Sequence, residues 1–411
     1  MIANVLAVAT LVAVAVFLLS PRMRASTQWR ATVTPLASII GSGFLVSLPV
    51  LTEAVGHYAI VAMAALLVLA WLLGGVIRFN IRYGEPLFAG QTYPGTATKG
   101  LLPLERMSHF ALAFAYFVSV TYYLSLLAAF FLKSFGVLDP LTAQAITTVL
   151  LVSIGAFGLW KGLHGLEGVE QYAVGLKLAI IAAVLAALAL LNLRLLFAGD
   201  WAPAPEPHTV EWDDVRVVLG LLIVVQGFET SRFLAGEYLP ETRIRTMRRA
   251  QLIAGAIYLA FFALARVVAE AHPASGDVAV MIDLVAVAAP VLPMMLAAGA
   301  VFAQLSAAIA DAISSAGLIH EETSGRIGRR VAYPVIAAVG VAIVWSTDVF
   351  SIITLSSRAF ALYYALQCVV AIQVARRADV TRPWLRIAGF AVLAAVAFGA
   401  TLFGVPVEGG E

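Results

Sequence analysis

Apolar runs of roughly 18 or more residues recur along almost the whole chain, separated by short stretches rich in arginine, glycine and proline. As a helix, a run of that length crosses about 30 Å of hydrocarbon. The pattern predicts about twelve membrane helices. A peripheral one covers 2–20. Ten core helices follow at roughly 33–54, 58–77, 108–133, 141–160, 168–193, 214–237, 248–270, 290–319, 331–346 and 349–374, and a last one at about 384–404. The stretch 277–289, apolar but carrying Asp277 and Asp283, reads as a short helix lying outside.

Composition supports this reading. With 62% hydrophobic and only 12% charged residues, the 411-residue chain has too little charge to cover a soluble surface. The run from Ile2 to Leu19 has no basic residues ahead of it, and Arg22 and Arg24 come after it, which predicts a retained helix with its N-terminus outside. With the next loop in the cytoplasm, 19 of the 26 Lys and Arg fall on the cytoplasmic side. Only Lys133, Arg194 and Arg216 lie opposite, and four (Lys177, Arg232, Arg266, Arg358) lie within helices. That asymmetry satisfies the positive-inside rule and predicts a multi-pass protein of a bacterial-type inner membrane. No Lys/Arg cluster is interleaved with aromatics, so a nucleic-acid partner is not expected. The six histidines fall in loops or at helix ends, as solvated residues with no metal-site spacing. The single cysteine, Cys368, reads as a small buried side chain.

The ten core helices divide into two sets of five, about 32–198 and 213–378, within a core spanning 25–378. The segments 1–24 and 379–411 lie outside that core. An odd number of crossings makes the second set enter from the opposite face, an arrangement found in several secondary transporter folds. In each set the first helix carries glycine within its apolar run: Ile40-Gly41-Ser42-Gly43 in one and Gln226-Gly227-Phe228-Glu229 in the other. Glycine weakens a helix by about 1 kcal/mol relative to alanine, so both helices are expected to unwind there. Peptide groups freed at that depth each need a partner. A zwitterionic solute supplies one, its carboxylate on the amides of Ser42 and Gly43 and its ammonium on the carbonyls near Val224, Val225 and Gln226. Glycines in membrane helices also simply permit close packing.

The segment Ile39–Val46, with Pro49 and Ala54-Val55-Gly56 after it, resembles the first helix of the amino acid–polyamine–organocation (APC) transporter superfamily. Gly227-Phe228-Glu229, followed by Glu237, Pro240, Arg248 and Arg249, resembles that family's sixth helix and its following loop, and Tyr172–Leu178 resembles its fifth. The resemblance implies an all-α LeuT-type five-plus-five inverted repeat, alternating access, and a solute site between core helices 1, 3, 6, 8 and 10. It also implies that Lys177 stands where sodium-coupled relatives hold a sodium ion. The stretch 78–106, with Arg78, Asn80 and Arg82, departs from the family's usual connection, as does the additional N-terminal helix.

Ionisable residues at mid-bilayer are costly and mark candidate function. Lys177, on losing its proton, would couple transport to protons; a structural lysine bonded to the first core helix is the alternative. Asp311 is a second proton carrier, a ligand for substrate ammonium, or the ion-pair partner of Arg358. Glu229 is a gate or a local partner of Arg232, three residues on. Ser306 is a candidate sodium ligand, or bonds its own preceding turn. Tyr116, Ser119, Tyr122 and Tyr123 on the third core helix are candidate cavity walls or packing groups. No enzyme motif is found: no His-Glu-x-x-His, Gly-x-Ser-x-Gly or P-loop. The expected role is proton-coupled transport of a small amino acid or related zwitterion, with protons and the solute as partners and no cofactor. An organic cation such as a polyamine, a metal ion, or a non-transporting sensor on the same fold are the alternatives.

Overall fold

The computed structural model describes residues 1–41, 43–88, 100–137, 139–162, 167–201, 209–271 and 281–406. Among these, every regular element is helical. Ile2–Leu18 forms α1, Pro21–Ala25 α2 and Thr27–Ile39 α3. The hydroxyls of Ser20 and Ser26 start α2 and α3 by accepting from the amides of Met23 and Trp29, which the first turn of a helix cannot pair. Gly43–Val55 forms α4, Ala59–Phe79 α5 and Glu85–Phe88 α6, with a π-helical turn at Asn80–Gly84. Next come α7 (Leu101–Ser134), α8 (Pro140–Trp160), α9 (Glu167–Ala198) and α10 (Trp212–Gly220). The chain continues through α11 (Pro240–Ala271), α12 (Met281–Ala286), α13 (Leu292–Glu322), α14 (Arg329–Ser346), α15 (Val349–Ala375) and α16 (Pro383–Phe403).

Among the described residues, nine helical spans are long and apolar enough to cross a membrane. The rest of the predicted twelve are α1, at 17 residues, and the two interrupted helices. α7 and α11 begin earlier than predicted, at Leu101 and Pro240, because charged residues near their starts, Glu105 and Arg243, find partners inside the protein. The central helix α7 packs on α13 and α15, while α8 pairs with α14, α9 with α1 and α13, α3 with α11, and α16 with α15. The predicted short helix appears as α12, packed on α13, with Asp283 bonded to Lys133 at 2.6 Å; Asp277 lies outside the described residues.

Both first helices of the two sets are interrupted where their glycines predict. α3 ends beside Ile40 and α4 begins at Gly43; Ser42, between them, lies outside the described residues. The run over 214–237, expected to unwind at its glycine, is α10, a 3₁₀ turn at Leu222–Val225, extended Gln226, and a 3₁₀ helix at Phe228–Leu234. Gly227 joins the last two with φ +109°, a conformation that needs glycine. A Cβ there would lie 2.6 Å from the carbonyl carbon of Ser38 and 2.7 Å from the nitrogen of Ile39. The two interruptions therefore touch backbone to backbone.

Gly227→Ala is accordingly expected to cost about 1–3 kcal/mol in backbone strain, with the clash added to it. Gly389→Ala, on α16 with open space around it, is the control. Melting of both variants in detergent checks this: a clear drop in Tm for the first and none for the second.

Candidate solute-binding site

Each interruption strands peptide groups, and neighbouring helices reach in to pair with them. α3 stops with its last carbonyls lacking the amides of a following turn, at the negative end of its dipole. Lys177 of α9, 5% exposed, donates to the carbonyls of Ala37, at 2.9 Å, and Ile40. The hydroxyl of Tyr123 lies 3.5 Å from the carbonyl of Ser38. Tyr258 of α11 places its hydroxyl against the carbonyls of both Ile39 (3.3 Å) and Val224, so one side chain holds both breaks. At the second break, Ser357 of α15 accepts from the amide of Ile223 at 2.9 Å, and Glu229 accepts from the amide of Gly227 at 3.0 Å.

Around this junction lies a closed polar cluster. Glu229 also accepts from the Tyr364 hydroxyl at 2.7 Å, and Phe228 stacks on the Tyr364 ring at 5.1 Å. Asp311 of α13 accepts from Ser119 of α7. Both acids are fully buried. Among the described residues neither is paired with a lysine or arginine. Tyr122 packs its hydroxyl against Gly43, 2.9 Å from where a Cβ would sit, and Tyr123 and Gln304 close over Gly41 in the same way. Gln226, 1% exposed, has no hydrogen-bond partner for either amide atom among the described residues.

The structure thus brings together Ile40, Gly41, Gly43, Ser119, Tyr122, Tyr123, Lys177, Val224, Val225, Gln226, Gly227, Glu229 and Asp311. Two expected ion pairs are not formed. Arg358 is exposed and donates to the carbonyl of Thr401 on α16 at 2.6 Å, away from Asp311, because its position on α15 faces the outer helix. Arg232 turns from Glu229 toward Glu105 on another helix. Ser306 bonds the carbonyl of Ala303 at 2.9 Å, one turn back on its own helix. Tyr258, Gln304, Ser357 and Tyr364 escaped the sequence reading. Their signal was a polar tip inside an apolar helix, which does not say which other helix it meets.

Comparison with known proteins gives the family. The sequence profile of an APC superfamily transporter matches residues 21–404. The chain belongs to the APC superfamily. An uncharacterized protein of Aquifex aeolicus (strain VF5) is 42% identical over 395 residues, covering 95% of this chain and 94% of the relative. Three solved structures share the LeuT-type fold at low identity. A variant of the Eremococcus coleocola manganese transporter aligns with a TM-score of 0.57 at 13% identity, covering 92% of this chain and 87% of that one. A Na+-coupled sialic acid symporter aligns at 0.55 and 11%, covering 100% and 99%. Mhp1, of the nucleobase-cation-symport-1 family, aligns at 0.54 and 14%, covering 91% of each chain. This APC superfamily member is a transport protein, not an enzyme.

In this transporter a second network lies between the central acids and the arginine-rich face. Glu105 stands about 16 Å before Tyr116 along α7, at 1.5 Å per residue. Arg232, 6% exposed, joins Glu105 to Gln367 of α15, and Gln367 donates to Ser108 at 2.7 Å and Glu105 at 3.1 Å. His109 bridges Glu105 and Glu322 of α13 at 3.0 and 2.6 Å, so it is not the solvated histidine the sequence suggested; α7 starts earlier and carries it inward. Asn80 donates to Gln367, and Arg243 reaches Glu85 and the carbonyl of Arg232. The unusual stretch after α5 thus ties that helix into the closure.

Removing one partner of a buried ion pair leaves the other uncompensated, at a cost of about 3–5 kcal/mol. Arg232→Ala is therefore expected to loosen the arginine-rich side. Cys368, fully buried beside Gln367 and the single cysteine of the chain, reports it. Maleimide labelling should accelerate roughly tenfold or more, the equivalent of ~1.4 kcal/mol in closure; unchanged labelling would place the closure elsewhere.

Proposed function

We propose that the protein is a proton-coupled secondary transporter of a small amino acid or related zwitterion, working by alternating access with its arginine-rich face toward the cytoplasm. The observation that carries this reading is the junction of two interrupted helices beside two buried acids that have only neutral partners among the described residues. Buried carboxylates without a cation are costly, so each favours a proton or a substrate ammonium. The solute carboxylate meets the first amides of α4, at the positive end of a half-helix, and Gln226 supplies an amide with free capacity. Lys177, bonded to two carbonyls at the end of α3, acts as the fixed positive charge of this site, and Glu229 and Asp311 carry the protons.

A second reading, an organic cation, draws on the same facing acids. A metal-ion cargo finds less support: among the described residues no group of three or more His, Cys, Asp or Glu is arranged to hold one.

Uptake into proteoliposomes of neutral amino acids, polyamines and manganese, with and without imposed proton and sodium gradients, separates these readings. Accumulation of a neutral amino acid driven by a proton gradient is the expected outcome. Polyamine uptake alone would replace it with the second reading. Glu229→Gln should abolish gradient-driven accumulation while leaving counterflow exchange measurable. Lys177→Ala should lose both, since the carbonyls of Ala37 and Ile40 are left without their donor; normal proton-driven accumulation by Lys177→Ala would remove that residue from the site.

A further inference from the structure

On the arginine-rich face, α2 and α3 meet the start of α11 around a groove of about 390 Å³. One wall is polar, made by Ser26, Gln28 and Arg249; the other is apolar, made by Met23, Leu252 and Ile253. The Arg249 guanidinium is steadied at the rim by donating to Gln28 Oε1 at 3.1 Å. Arg22, Arg30 and Arg248 are exposed on the same three helices. Among the described residues, none of these four arginines forms an ion pair with a carboxylate. Leu252 and Ile253 follow Arg249 by three and four residues, so they continue its face of α11 one turn deeper into the apolar run. They are 61% and 37% exposed.

Charge above and exposed aliphatic surface one turn below match the two chemistries of a lipid: an anionic headgroup and an acyl chain. Trp29, which also lines the groove, has the apolar ring and polar N–H that settle at a membrane interface. A soluble phosphate would satisfy Arg249 but leave the apolar wall uncovered. We propose that this groove is a binding site for an anionic phospholipid, with the phosphate on Arg249 and one acyl chain along Leu252 and Ile253. The site touches α3, the half-helix that ends at the first break, and α11, which carries Tyr258 onto both breaks. A lipid seated there bears on the two elements that hold the centre closed.

The test uses the purified full chain in a neutral detergent, with phosphatidylglycerol, phosphatidylcholine or glycerol 3-phosphate added, read by native mass spectrometry and by melting. Phosphatidylglycerol is expected to stay bound as a single adduct and to raise Tm; phosphatidylcholine and glycerol 3-phosphate are expected to do neither. Arg249→Ala should weaken the phosphatidylglycerol adduct roughly fivefold or more, while Arg376→Ala, also exposed but at the end of α15, should not. Leu252→Trp, which fills the groove without touching charge, should weaken it as well and covers the case in which Arg249→Ala is unstable. Equal binding of phosphatidylcholine, an equal shift with glycerol 3-phosphate, or an adduct indifferent to both groove variants would overturn the proposal.

Discussion

An unpaired peptide group is expensive in a medium without water, and the centre of this protein is organised by that cost. Two helices stop halfway, at Ile40 and at Gln226, and each stop leaves carbonyls and amides that a continuous helix would have satisfied. Lys177, Tyr123, Tyr258 and Ser357 come from four other helices to meet them, and Glu229 adds its carboxylate from within the second break. Gly227 then lets the second break lie directly on the backbone of the first. The result is a polar point of contact in an otherwise apolar bundle, held by side chains that each belong to a different element. A movement that separates those elements exposes the same groups again.

Charge is distributed around that point in layers. Glu229 and Asp311 sit at the centre with hydroxyl and amide partners alone among the described residues. Beginning at Arg232, one turn beyond Glu229, and reaching Glu105, about 16 Å before Tyr116 along α7, Arg232, Glu105, His109, Glu322 and Gln367 form a dense network in which cations and acids meet directly. The contrast has a physical reading. Matched ions at the periphery lock helices together, whereas acids without counter-ions favour a partner that arrives and leaves.

Much of the fold was legible because hydrophobic length and charge sidedness are local properties of a sequence in a membrane. A helix in hydrocarbon has to satisfy its own backbone, so its apolar run fixes where it lies along the chain, while charged ends such as those of α7 and α11 extend beyond it. The glycine clusters at 41–43 and at 227 were readable for the same reason. The solute site was legible only in outline. Tyr258, Gln304, Ser357 and Tyr364 each look like an isolated polar tip in an apolar helix, and the identity of the partner depends on how two distant segments rotate against each other. The expected pairs Glu229–Arg232 and Asp311–Arg358 failed for that reason. Proximity in sequence favoured the first, but Glu105 offers Arg232 a partner enclosed across the bundle. Arg358 lies on the face of α15 that meets α16, and its guanidinium goes to the carbonyl of Thr401 there.

By itself, then, the sequence determined the all-helical membrane fold, the arginine-rich face, the two interruptions and the family, since all of these follow from composition over short windows and from motifs. Tertiary structure alone decided which side chain satisfies each stranded peptide group, that Gly227 rests on Ser38 and Ile39, and that the ion pairs gather at Glu105 rather than around Glu229 and Asp311. Those outcomes depend on the mutual rotation and depth of helices that are remote along the chain, and no local pattern encodes them.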